Sequence, residues 1–190
     1  LAAMQANGLR IISPLGDVHI GSITATDDPA TIGPVDIVMF CVKLYDVDAA
    51  CEAIRPLLGP DTAVISFLNG IDSEDRMQAL LGGNHVVGGT AQIPSNIVEP
   101  GVIEHKAPLA VLEFGELDGT DSDRLRAFDH ICNEAGIQTY LVENIETAIW
   151  LKFAILVPFA TVCCLTRLPG KILIEEPAVQ ELAFTAIREI

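Results

Sequence analysis

Two short runs, DIVMFCV at Asp36–Val42 and TAVISFL at Thr62–Leu68, constrain the fold of this chain more than any other feature. Each is almost wholly apolar over the length of one strand. A strand with one wet face alternates apolar and polar residues, whereas a strand covered on both faces does not. Between the two lies Asp46–Leu58, where Val47, Ala50, Ile54 and Leu57 share one helical face and Gly59-Pro60 stops the helix. Two buried strands joined through a helix are the unit of a parallel sheet. Asp72 stands where its carboxylate can cap a helix over Ser73–Leu81. His85–Gly89 reads as a third short strand, so the alternation predicts a doubly wound α/β sheet.

The flanking segments are less regular. Leu1–Gln5 reads as a short helix ended by Asn7-Gly8, and Leu9–Ser13 and Val18–Ile20 flank a turn at Pro14-Leu15-Gly16-Asp17. Ala91–Gly115 mixes short apolar runs with prolines and suits two or three antiparallel strands. Leu125–Ala135 is an amphipathic helix ended by Gly136, and Gln138–Val142 is a last strand. From Asn144, an N-cap residue, the chain turns helical to its end. Pro158 is expected to kink or interrupt that helix, because its ring displaces the i−4 carbonyl and it has no N–H. Pro169-Gly170 marks a break, and Glu176-Pro177 opens a final helix. The domain boundary is placed near Val142–Asn144. A sheet domain over residues 1–143 is then followed by an all-helical domain over 144–190.

Bulk composition excludes some partners. With 190 residues, half of them hydrophobic, the chain can bury a sizeable core. A net charge of −15 argues against a nucleic-acid backbone as ligand, which needs a basic face, but leaves room for a small anion at a local positive site. Cys41, Cys51, Cys132, Cys163 and Cys164 form no C-x-x-C pair and suit reduced, packed thiols in a cytoplasmic protein. His19, His85, His105 and His130 have no metal-ligand spacing, so no metal site is expected. The uncharged run Phe153–Leu165 is too short to span a bilayer, and no membrane partner is expected.

Three places carry possible chemistry. Lys152 is a single lysine in the apolar stretch IETAIWLKFAILVPFATVCCLTRLPG, Ile145–Gly170. Its ammonium must snorkel to water, find partners, or serve in a reaction. Lys43 follows the first buried strand and Asn69-Gly70 follows the second. Ligands of open α/β sheets bind at such carboxyl ends. The plain alternatives are a solvated lysine and an ordinary turn. Glu143 and Glu146 suit the positive end of a helix and need no further role.

In order along the chain, CVKLYDVDAA (Cys41–Ala50), FLNGIDSEDRM (Phe67–Met77), GGTAQIPSNIVEPGVIEH (Gly88–His105) and AIWLKF (Ala148–Phe153) resemble the ketopantoate reductase (2-dehydropantoate 2-reductase) family. The resemblance covers almost the whole chain. It implies an N-terminal Rossmann-type domain that binds NADPH, a C-terminal helical domain, and an active site between them. By position, Lys152 matches the family's catalytic lysine, which protonates the alkoxide as hydride reaches the ketone carbon. Asn69 matches an asparagine that touches cofactor and substrate, and Lys43 a lysine near both, with Gly70 beside the cofactor. A small 2-oxoacid substrate, pantothenate and coenzyme A biosynthesis, and a possible homodimer follow from the same resemblance.

Some family features differ here. The glycine-rich loop and the basic residue that reads the 2′-phosphate are expected upstream of Leu1, and the late glutamate and serine beyond Ile190, as in a fragment. Within the chain, the substrate-holding asparagines of the best-known members correspond to Leu156 and Ala160. The asparagine usual at the proline-glycine break is also missing. The resemblance implies NADPH-dependent reduction of a 2-oxoacid, 2-dehydropantoate or a close analogue; an apolar wall in place of a polar one makes a paralogue acting on a more apolar 2-oxoacid the alternative of the same class. A non-catalytic NADP(H)-binding sensor or scaffold is the alternative of a different class.

Overall fold

The computed structural model describes residues 1–190, apart from the side chain of Ile174. A helix α1 (Ala2–Asn7) leads into strands β1 (Leu9–Ile12) and β2 (Val18–Ile20). Then come β3 (Val35–Phe40), α2 (Val47–Ile54), β4 (Leu58–Ser66), α3 (Ser73–Leu81) and β5 (Val86–Gln92). These are followed by β6 (Ser95–Glu99), β7 (Val102–His105), β8 (Val111–Glu116), α4 (Asp123–Glu134) and β9 (Gln138–Leu141). Three helices finish the chain: α5 (Ile145–Thr166), α6 (Ile172–Glu175) and α7 (Pro177–Glu189).

The main sheet has the order β3-β4-β5-β8-β9. Strands β3, β4 and β5 run parallel, β8 is antiparallel to β5, and β9 is parallel to β8. Period-2 alternation sorts the side chains of β4 to two faces. Val64 joins Phe40, Val47, Cys51 and Met77 under α2 and α3. Ala63, Ile65 and Phe67 join Val87, Leu112, Phe114 and Leu125 under α4, where the Phe114 and Phe128 rings lie 5.2 Å apart. Helices on both faces of a largely parallel core explain why TAVISFL is continuously apolar. The sister run is different: β3 is an edge strand and Met39 is half exposed.

A second, four-stranded sheet has the order β2-β1-β7-β6. Thus the middle strands β6 and β7 pair with the N-terminal hairpin, Ile11 beside Ile103, across some ninety residues of sequence. Buried His105 locks this joint: one ring nitrogen meets Ser13 Oγ at 2.9 Å and the other meets the Leu109 carbonyl at 3.0 Å. Because that carbonyl can only accept, Nε2 carries the proton.

Helix α5 is seated on the sheet by glycine. Gly88 and Gly115 are cross-strand partners in the β5–β8 ladder. A Cβ on Gly88 would lie 2.8 Å from Ile145 Cγ2, and one on Gly115 would lie 2.2 Å from the Val142 carbonyl oxygen. The missing side chains form the slot for Ile145, the first residue of α5, which is 1% exposed. Asn144 caps this end, its Oδ1 accepting from the Thr147 N–H at 3.0 Å.

Four local expectations need correction. Asp72 occupies the N-cap position of α3, but its side chain makes no cap hydrogen bond. Pro158 lies buried inside α5 and does not interrupt it, because its missing N–H costs one local hydrogen bond. The helix also runs back through Lys152 to Ile145, so its 22 residues, unlike Phe153–Leu165 alone, are long and apolar enough to cross a membrane. In this chain α5 packs instead along β5, β8 and α7. Finally, Cys41 is exposed just past the edge strand β3, and Cys164 is exposed and Cys163 only partly covered, since the far half of α5 has little chain against it; Cys51 and Cys132 are buried as expected.

Candidate active site

Parallel register brings the carboxyl ends of β3, β4 and β5 to one edge. Phe40 pairs with Ser66, and Ser66 with Gly88. Lys43 and Asn69 therefore leave the sheet at matching points, each three residues past its paired strand residue. Gly70 follows with φ of 116°, a backbone conformation that side chains strain, so glycine is required for the chain to turn here. The position is also open: a Cβ there would make only ordinary contacts with Asp72 and Leu44.

Helix α5 crosses this edge. Two turns after Ile145 in its glycine seat, about 10 Å at 1.5 Å per residue, Lys152 comes over the β5–β8 ladder. It lines a cleft of ≈ 550 Å³. Asn69 forms part of the rim, and Leu151, Ile155, Leu156 and Phe159 of α5 supply an apolar wall facing Ile93, Pro94 and Leu109. A narrow recess is lined by Lys152 together with Asn69, Gly70, Gly89 and Thr90. The structure thus brings Lys152, Asn69 and Gly70 together.

Two other expected residues stand elsewhere. Lys43 is exposed at the start of the turn before α2 and does not line the cleft or the recess. Leu156 lines the cleft as expected, but Ala160 is exposed and the wall is completed by Phe159.

One lining residue has no counterpart among the sequence expectations. Glu113 of β8 is the cross-strand partner of Thr90 on β5, and Thr90 Oγ1 donates to Glu113 Oε2 at 2.8 Å. Lys152 is the cation of this cleft and Glu113 its anion. They do not touch, for among the described residues Lys152 forms no ion pair or hydrogen bond. Burial pushes the Lys152 ammonium below the ordinary lysine range, because the charged form loses water; the Glu113 carboxylate opposes this and does not overcome it. No group of metal-ligating side chains occurs among the described residues.

The arrangement can deliver a proton to an oxygen held beside Asn69. It also suits a dinucleotide. Three parallel strands end at one edge, and Gly70 lets a ligand approach the backbone there.

The family model described as ketopantoate reductase PanE/ApbA matches residues 1–119. The chain is 29% identical over 190 residues to the uncharacterized oxidoreductase YkpB of Bacillus subtilis, covering 98% of this chain and 61% of that protein. It is 25% identical over 209 residues to a 2-dehydropantoate 2-reductase of Mesorhizobium japonicum, covering 100% and 64%. Among solved structures, 2-dehydropantoate 2-reductase from Geobacter metallireducens superposes with a TM-score of 0.92 at 27% identity, covering 98% of this chain and 62% of that one. The Porphyromonas gingivalis enzyme of the same name gives 0.85 at 32% identity, covering 95% and 64%. The chain spans about three-fifths of the length of these relatives.

Proposed function

The chain belongs to the ketopantoate reductase family, and from that premise we propose that it serves the NADPH-dependent reduction of a 2-oxoacid. The observation that carries this reading is the convergence of Lys152 and Asn69 on one apolar cleft at the carboxyl edge of a parallel sheet. Asn69 and Gly70 border the place of the nicotinamide, which when bound supplies the hydride. Lys43, exposed on the same edge, reaches the cofactor's outer part. Residues 1–143 form the dinucleotide-binding portion and 144–190 belong to the helical one that completes the cleft.

Lys152 has two tasks. Its Nζ donates a proton to the carbonyl oxygen as that oxygen becomes an alkoxide, and its charge stabilises the oxyanion before transfer. Burial favours both: a less solvated ammonium gives up its proton more readily and acts through a lower dielectric. Asn69 orients the same oxygen from the rim.

NADPH is expected to bind in the micromolar range or tighter, measured by calorimetry or nicotinamide fluorescence. A folded sample that binds neither NADPH nor NADH would end the reading.

The apolar wall supports a particular class of substrate. Leu151, Ile155, Leu156 and Phe159 offer no hydrogen-bond partner for a substrate hydroxyl, and each hydroxyl left unpaired on burial costs about 1–3 kcal/mol. A 2-oxoacid with a branched or aromatic hydrocarbon side chain fits better than ketopantoate. In parallel assays with NADPH, its kcat/KM should exceed that of ketopantoate by about tenfold or more. A preference for ketopantoate above about a hundredfold would place its hydroxyl contacts outside this wall.

A further inference from the structure

Glu113 is out of place if β8 merely encloses an apolar substrate. It lies in the sheet face that also carries Gly88 and Thr90 opposite α5, partly covered, and it lines the same cleft as Lys152. One carboxylate oxygen is fixed by the Thr90 hydroxyl from the neighbouring strand. The pair Thr90–Glu113 sits two residues along the ladder from Gly88–Gly115, about 7 Å in strand rise. The glycine pair holds the start of α5, so the next pair on that face lies along the path of the helix toward Lys152.

We propose that Glu113 is a positioning residue for Lys152: its carboxylate, held by Thr90 Oγ1, keeps the ammonium charged and drawn over the recess beside Asn69, where the substrate oxygen is to be protonated. This rests on the reading of Lys152 as the proton donor. The physical need is plain. A half-buried proton donor on an apolar helix loses hydration, and an ammonium that discharges too early has no proton to give. A fixed anion nearby counters that loss. Direct contact would instead trap the proton in an ion pair, and none is formed.

Other charged groups near α5 do not supply this field. The helix itself carries Glu146, and α7, packed on it, carries Glu181, Arg188 and Glu189. Glu116 of β8 is taken up by Arg124, whereas Glu113 shares the cleft with Lys152 and opposes the effect of its burial.

The test is direct, because the sequence has only four lysines: Lys43, Lys106, Lys152 and Lys171. Lysine labelled with ¹³C at Cε gives one NMR signal for each, and Lys152→Ala identifies the one of interest. In Glu113→Gln, the Lys152 signal should titrate at lower pH than in the parent. Thr90→Val, which frees the carboxylate without removing it, should move the midpoint the same way by less, and Glu113→Asp should restore part of it. In parallel, kcat/KM of Glu113→Gln should fall by about fivefold or more at alkaline pH and converge on the parent value as pH drops. A purely structural role would lower it equally at every pH. An unchanged Lys152 midpoint in folded Glu113→Gln and Thr90→Val overturns the proposal. Failure of the parent to reduce any 2-oxoacid would overturn the reductase reading instead, while the NMR titration still decides the role of Glu113.

Discussion

Replacing Lys152 by alanine is expected to slow the single-turnover reduction of the best 2-oxoacid by about a hundred- to ten-thousandfold. NADPH affinity should stay within about threefold, since in the proposed reaction the ammonium acts on the ketone oxygen and not mainly on the cofactor. The size follows from the surroundings. With Lys152 gone, the cleft holds Glu113 as its charged group, an acceptor when ionised, and Asn69 as a neutral donor. Neither replaces a cation poised at a developing alkoxide. The pH profile gives a second reading. The working form is protonated, so the parent rate is lost as pH rises through the lysine's titration. Burial lowers that titration, so the decline must begin below the ordinary lysine range near about 10.4. The mutant should lack this limb. A mutant rate within about threefold of the parent would remove Lys152 from the reaction.

The largest effect on stability is expected far from the cleft, at Arg124. Its guanidinium forks onto Glu116, Nε to Oε1 at 2.8 Å and Nη2 to Oε2 at 2.7 Å. Its Nη1 donates to the Asn84 carbonyl at 2.8 Å, joining α4 to the turn before β5. Ser122, the cap of α4, donates to the same carboxylate at 2.6 Å. The Glu116 side chain is 10% exposed and that of Arg124 22%. Truncating Arg124 to alanine therefore strands a nearly buried carboxylate and several carbonyls. Loss of one partner of such a pair costs about 3–5 kcal/mol, and the partial exposure of Arg124 brings the expectation to about 3 kcal/mol. Urea unfolding should show a lower midpoint with an unchanged slope. Arg124→Lys should recover little, because an ammonium cannot reproduce the fork. A cost under about 1 kcal/mol would mean that water replaces the guanidinium at this site.

Sequence signals sufficed where the cause was local. Continuous apolar runs marked β4 and its neighbours, Asn144 marked the start of α5, and Asn69-Gly70 marked a turn that needs glycine. Lys152 stood out because nothing near it in sequence resembles it. The rest depended on pairing. Glu113 in VLEFGE reads as the wet face of an alternating strand, and only its register with Thr90, twenty-three residues earlier, turns it toward the cleft. The sheet joining β1 to β7 has no local signature, since neither strand reveals which edge it will meet. Lys43 shows the converse. Strand-end logic placed it correctly on the edge, but a flexible side chain at a turn is not bound to follow its backbone into the cleft.

The slot at Gly88 and Gly115 separates accuracy from chemistry. How deep Lys152 sits is gauged two helical turns away, by residues that contribute no side chain to the cleft. Selection can then rework Leu151, Ile155, Leu156 and Phe159 for new substrates without recalibrating the donor. The converse also holds: a single methyl group at Gly115 would lift the helix from its datum, and an assay would register impaired turnover with every group in the cleft still present.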